Sequence, residues 1–208
     1  MTGTTLDRTY SEPADRSRLE RVAEALAVRG MKASIVADTA AARAAFDALV
    51  PDGAVVYNST SRTVDEAGIS DDIRASERYR ATRSVTETLD PATQMEEFRR
   101  HVSNMDVVVG SVQAVTDAGQ VVIASGSGSQ LAPYAYGATN VVWVVGAQKI
   151  VRDLDEAFDR IEQHCLPAED ARLREIYGMG SSVNKHLIVH GEEPGRITVL
   201  LVEEPLGV

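Results

Sequence analysis

Several stretches of this chain are apolar without alternation, and they limit the folds open to it more than any other feature. They are ASIVA (33–37), GAVVY (53–57), DVVVG (106–110) and NVVWVVG (140–146). A strand with one wet face alternates apolar and polar residues. A continuous apolar strand needs cover on both faces, which is the habit of parallel sheets. The segments between the strands supply that cover. Leu19, Val22, Ala23 and Leu26 recur at helical spacing within Arg16 to Arg29, and Gly30 is the expected terminator. Asp38 and Thr39 precede a second helix, Ala40 to Leu49, which ends before Pro51. The β–α–β rhythm predicts an α/β fold: a mostly parallel sheet, helices on both faces and some antiparallel strands.

The rest of the chain is read in the same way. Residues 71–102 are charged and mostly helical, with Pro91 opening a helix toward His101. Two strand-like pieces follow residue 110, joined by a turn at Asp117-Ala118-Gly119. A helix is expected from about Gln130 to Tyr136. Asp153 to His164 is amphipathic, with Leu154, Ala157, Phe158 and Ile161 on one face. Pro167 is expected to break that helix before another helical stretch to Tyr177. His186 to His190 and Arg196 to Val202, on either side of Glu192–Gly195, read as an antiparallel hairpin. Residues 1–15 are polar and expected to pack loosely, leaving 16–208 as one domain of ordinary size.

Composition excludes several function classes. Lys plus Arg number 21 against 31 Asp plus Glu, a net charge of −10. Nucleic-acid binders draw affinity from clustered cations that release phosphate counterions, so nucleic acid is not expected as a partner. An anionic membrane surface is disfavoured likewise. No apolar run reaches the length of a membrane span, and the first residues lack the apolar core of a secretory signal, so the cytoplasm is the expected location. Cys165 is the single cysteine, so neither an internal disulfide nor a thiolate cage is available. On an apolar helix it reads as a packing residue. His186 and His190 share a strand face as a zinc pair would, but no acidic third ligand is evident, and ordinary strand histidines are the plainer reading. No metal or other cofactor is expected.

Candidate binding residues follow from position. In open α/β sheets ligands bind beyond the carboxyl ends of the strands. Ser59, Thr60, Ser61 and Arg62 follow one strand and open a helix, where hydroxyls, free N–H groups and a guanidinium suit an anion. Plain helix capping explains the same residues. Ser111 and Gln113 follow DVVVG, and a glutamine in an apolar stretch needs partners, from a ligand or from a loop. Ser125, Gly126, Ser127, Gly128, Ser129 and Gln130 form a turn where the backbone can approach a ligand closely; a flexible connection is the bland alternative. Gln148 and Lys149 follow NVVWVVG, and Asn184 and Lys185 sit in a polar, glycine-punctuated loop. The chain has no dinucleotide-binding glycine fingerprint after its first strand, no phosphate loop and no nucleophile elbow. The catalytic residues stay unassigned.

Two long segments carry a family resemblance. DVVVGSVQAVTDAGQVVIASGSGSQLAPYAYGATNVVWVVGAQKIVRDLDEAFDRI resembles the LUD-domain family, named for lactate utilisation proteins B and C. Lys149-Ile150-Val151 and Asp153-Leu154 match its pattern, and YGMGSSVNKHLIVHGEEPGRITVLLVEEPLG resembles its short, single-domain, lactate utilisation protein C-like branch. The resemblance implies a fold of the sugar-isomerase and CoA-transferase type (NagB/RpiA/CoA-transferase-like). It also implies a link to oxidation of lactate to pyruvate beside iron–sulfur partner subunits. Without cysteine clusters the chain resembles the cluster-free member, a subunit or binding protein for a small anionic or carboxylate ligand, open to homo-oligomer formation. An isomerase or transferase acting on a phosphosugar or CoA ester is the alternative, and a structural domain with a vestigial pocket the third reading. The family supplies no settled catalytic residue.

Overall fold

A computed structural model describes residues 8–90, 92–103 and 105–208. After a 3-10 turn at Arg8–Ser11 come α1 (Arg16–Val28), β1 (Lys32–Val36), α2 (Thr39–Leu49) and β2 (Val55–Asn58). The Asp15 and Asp38 carboxylates cap α1 and α2, each accepting a backbone N–H of the first turn at 2.8 Å. Gly30 ends α1 at φ 82°, where any Cβ would stand 1.9 Å from the Glu192 carbonyl. The charged stretch holds α3 (Arg62–Glu66), α4 (Ile69–Ala75), β3 (Arg80–Ala81), α5 (Arg83–Thr86) and α6 (Met95–His101). The helix opening expected at Pro91 lies outside the described residues. Next come β4 (Val107–Gly110), β5 (Ala114–Thr116) and β6 (Val121–Ser125), then β7 (Asn140–Gly146) and β8 (Ile150–Val151). The chain closes with α7 (Leu154–Arg160), α8 (Leu166–Tyr177), β9 (Lys185–Val189) and β10 (Ile197–Val202).

The strands form two sheets. The larger has the order β1-β10-β7-β4-β2-β3, and every pairing in it is parallel. The smaller has the order β8-β5-β6-β9, with β6 antiparallel to both neighbours. The unbroken apolar runs now have their cause. Val141, Trp143 and Val145 of β7 enter a core shared with α1, while Val142 and Val144 enter another shared with α2 and α4. β10 divides in the same way, with Ile197, Val199 and Leu201 on one side and Leu200 and Val202 on the other. Both faces are largely dry, and Thr198, near the start of β10, is the one polar residue in that strand.

Three sequence expectations change. Residues 186–202 are not a hairpin: β9 pairs with β6, whereas β10 lies between β1 and β7, parallel to both. A strand as apolar as ITVLLV is stabilised by about 1.5–3 kcal/mol for each large side chain it buries, and only the sheet centre buries both faces. Pro167 does not break its helix. The axis runs from α7 through a π turn at Ile161–Cys165 into α8, and Pro167 stands in the first turn of α8, directly after the π turn. The segment before Arg16 is docked from Arg8 onward. The Ala14 N–H donates to the Ala147 carbonyl at 3.1 Å, and the Tyr10 ring lies 6.2 Å from that of His164.

Candidate functional site

Because β2, β4 and β7 run parallel, the turns at their carboxyl ends open on one edge of the sheet. The turn after β6 reaches the same place from the smaller sheet, and together they line a cavity of about 420 Å³. Leu166, Glu169, Arg172 and Leu173 of α8 form its opposite wall. Ser59, Thr60, Ser61 and Arg62 line it, as do Ser111 and Gln113, Ser125 to Ser127, Ser129 and Gln130, and Lys149. Gly128, Asn184 and Lys185 stand outside it and brace the turn. Asn184 Nδ2 donates to the Gly126 carbonyl at 3.2 Å, and Lys185 Nζ to the Ser127 carbonyl at 3.0 Å. Gly128, at φ 86°, gives its N–H to Ser125 Oγ at 2.8 Å and so shapes the turn from within.

Local chemistry explains the turns. Ser61 caps α3 by accepting the Val64 N–H. Gly110 has no room for a side chain, since a Cβ would meet Tyr134 Oη at 1.7 Å and Ser59 Oγ at 2.2 Å. Those two hydroxyls bond each other at 2.8 Å, and burial pushes the Tyr134 phenol up. Gln113 accepts the Ala124 N–H at 2.8 Å, so part of its hydrogen bonding is met by strand β6. Gln148 is wholly structural. It donates to the Leu206 carbonyl at 2.9 Å and accepts the Leu206 N–H at 3.0 Å, pinning residues 205–208 beside α3. Arg62 is paired with Glu66 at 3.0 Å, which removes much of the charge it offers an anion.

The floor of the cavity is Lys149, only 2% exposed. Its Nζ donates to Thr63 Oγ1 at 2.7 Å and Ser111 Oγ at 3.0 Å. No Asp or Glu among the described residues lies within ion-pair distance of it. Burial, reinforced by the Arg160 guanidinium, lowers its pKa to about 7. Arg160 is itself fully buried. One of its nitrogens reaches the Gln113 carbonyl at 2.6 Å and Cys165 Sγ at 2.8 Å, while Nε and Nη2 have no hydrogen-bond partner among the described residues. Cys165 lines the cavity, and burial pushes its thiol up despite the neighbouring cations. Sequence reasoning missed Tyr134, Arg160 and the α8 wall. Arg160 alone left a signal: an arginine at helical spacing between Ala157 and Ile161, two positions of an apolar stripe.

The histidines in and just after β9 point to other work. His186 packs edge-on against the Phe158 ring, and His190 Nδ1 bonds the Gln120 amide at 3.1 Å. Among the described residues no group of three or more His, Cys, Asp or Glu side chains is placed to hold a metal. No helix is long and apolar enough to cross a membrane, among the described residues.

A family model described as the LUD domain matches residues 19–202. The chain belongs to the LUD domain family. Among solved structures, this LUD domain protein is similar to a DUF162 family protein from Deinococcus radiodurans. That match has 14% identity and a TM-score of 0.55, covering 91% of this chain and 99% of the other, and it supports the fold alone. Ribose 5 phosphate isomerase A from Neisseria gonorrhoeae is a weaker match, with 16% identity and a TM-score of 0.29 over 69% of this chain and 57% of the other. No curated protein matches.

Proposed function

We propose that this LUD domain protein binds a small carboxylate in the cavity and serves the oxidation of lactate or a related organic acid. In this reading it is a subunit without a cluster of its own. The observation that supports it is Lys149, a buried amine on the floor of a hydroxyl-lined cavity with no acidic partner among the described residues. A lone ammonium is costly there, and an arriving anion offsets that cost. The serine turns add neutral donors around it, which suits one carboxylate better than a highly charged ligand. With Cys165 as its single cysteine, the chain lacks the thiolates for an iron–sulfur cluster, so electrons would pass to iron–sulfur partner subunits. The cytoplasm is the location this role requires.

Calorimetry and thermal unfolding with lactate, pyruvate and oxalate test the reading. The expected result is saturable stabilisation by at least one of these acids, lost in Lys149→Met. No binding of any of them would overturn it. Asp65 and Glu169 line the same cavity, which favours a second reading, an isomerase or transferase acting on a phosphosugar or CoA ester. Stabilisation by ribose 5-phosphate or acetyl-CoA, with none by the acids, would select that reading instead.

A further inference from the structure

We propose that Lys149 is a nucleophile whose Nζ condenses with the carbonyl carbon of a 2-oxo acid held in the cavity, forming an imine. The proposal rests on the carboxylate reading above and deepens it by naming the ligand class and the reacting atom. The geometry is the main support. Thr63 Oγ1 and Ser111 Oγ lie 2.7 and 3.0 Å from Nζ. Each hydroxyl directs its own proton elsewhere, Thr63 to the Leu206 carbonyl at 3.4 Å and Ser111 to the Val112 carbonyl at 3.5 Å. Both therefore accept from the lysine. A neutral amine has two N–H donors and a lone pair. Two acceptors use both donors and leave the lone pair for the cavity that Lys149 lines. An ammonium would bring into a buried site a third donor with no partner among the described residues, at a cost.

The surroundings hold the amine in that form. Burial disfavours its charge, and Arg160 at the end of α7 adds positive potential, as does Arg62 on α3. Glu66 on α3 and the Cys165 sulfur oppose them and are outweighed. The two cavity carboxylates are engaged away from Nζ: Glu169 holds Arg172 at 2.6 Å, and Asp65 accepts from Ser70 at 2.5 Å. A lysine made nucleophilic by desolvation and a second cation is a known route to carbonyl condensation.

The step balances without a co-reactant. The lone pair adds to the carbonyl carbon, and the proton shed by nitrogen passes to the carbonyl oxygen, giving a carbinolamine. Departure of that hydroxyl as water, taking the remaining proton from nitrogen, forms the C=N bond. One amine and one carbonyl give one imine and one water, and no electrons are exchanged. Lactate carries a hydroxyl where pyruvate carries the carbonyl, so it can bind but not condense.

The chain suits a direct test, because Lys149 is one of its three lysines, and Lys32 and Lys185 are exposed. The full chain is incubated with pyruvate and sodium cyanoborohydride, and the reduced adducts are located by peptide mass spectrometry. At about pH 8 Lys149 is expected to be labelled in at least roughly tenfold excess over the other two, which lie outside the cavity. Labelling rises with pH through about 7, is absent with lactate, and is absent at position 149 in Lys149→Arg. In Arg160→Met the profile moves to higher pH, a shift that simple loss of packing would not produce. If Lys149→Arg fails to fold, the site of labelling in the unmodified protein still decides. Binding of pyruvate or lactate with no adduct at Lys149 would overturn the imine and leave the carboxylate reading standing. Absence of both binding and adduct would overturn both. Equal labelling of the three lysines would overturn the imine. Labelling by dihydroxyacetone phosphate but not by pyruvate would overturn the 2-oxo acid assignment.

Discussion

At Lys149, stability and use are in opposition. In the unfolded chain a lysine titrates at about 10.4, whereas in the fold Lys149 is lowered to about 7. Below pH 7 both states hold the proton, and the fold carries the full cost of a buried charge. Between those two values the unfolded state binds more protons, so stability rises with pH. Lys149→Met removes the group and its cost. It is expected to raise stability at about pH 6 by a few kcal/mol and to flatten the rise toward pH 10, as measured by chemical denaturation across that range. The same variant is expected to lose binding of the proposed carboxylate, measured by calorimetry. The serine turns were legible in the sequence because strand ends and turn residues are local signals. Lys149 was legible only as a position after a strand. That Thr63 and Ser111 accept from it, and that Arg160 stands behind it, involves residues 86, 38 and 11 positions away, and no local pattern reports such encounters.

At the scale of elements, capping and periodicity carried over well and pairing did not. Asp38 caps α2 with one hydrogen bond to the Ala41 N–H at 2.8 Å. Asp38→Ala is expected to cost about 1 kcal/mol, seen as a lower denaturation midpoint with an unchanged slope. The hairpin expected over 186–202 failed for a physical reason. Two apolar runs joined by a polar turn fit a hairpin locally, but β10 gains far more burial between β1 and β7 than beside β9. The partners that settle the matter lie about 55 to 165 residues upstream. Pro167 failed differently. The π turn before it takes up an extra residue, so a helix breaker becomes an ordinary first-turn residue of α8. That continuity puts Leu166, Glu169, Arg172 and Leu173 over the cavity as one rigid wall.

Over the whole molecule, a net charge of −10 meets a site proposed for an anion. The long-range field repels such a ligand, and the short-range donors around Lys149 must outweigh it. Salt screens the long-range part first, because its reach exceeds the Debye length of about 10 Å at 0.1 M. The association rate of lactate is therefore expected to rise a few-fold from low to physiological ionic strength, measured by stopped-flow mixing; a falling rate would place a net attractive field over the cavity. The sequence by itself determined the parallel α/β sheet, because continuous apolar runs cannot face water, and it placed the polar turns at strand ends. Only the tertiary structure decided that these turns share one cavity, that β10 fills the sheet centre, and that Lys149 lacks an acidic partner among the described residues. Hydrophobic periodicity is written along a few neighbouring residues. Burial of a charge depends on everything packed around it, and the chain brings those groups together from four distant segments.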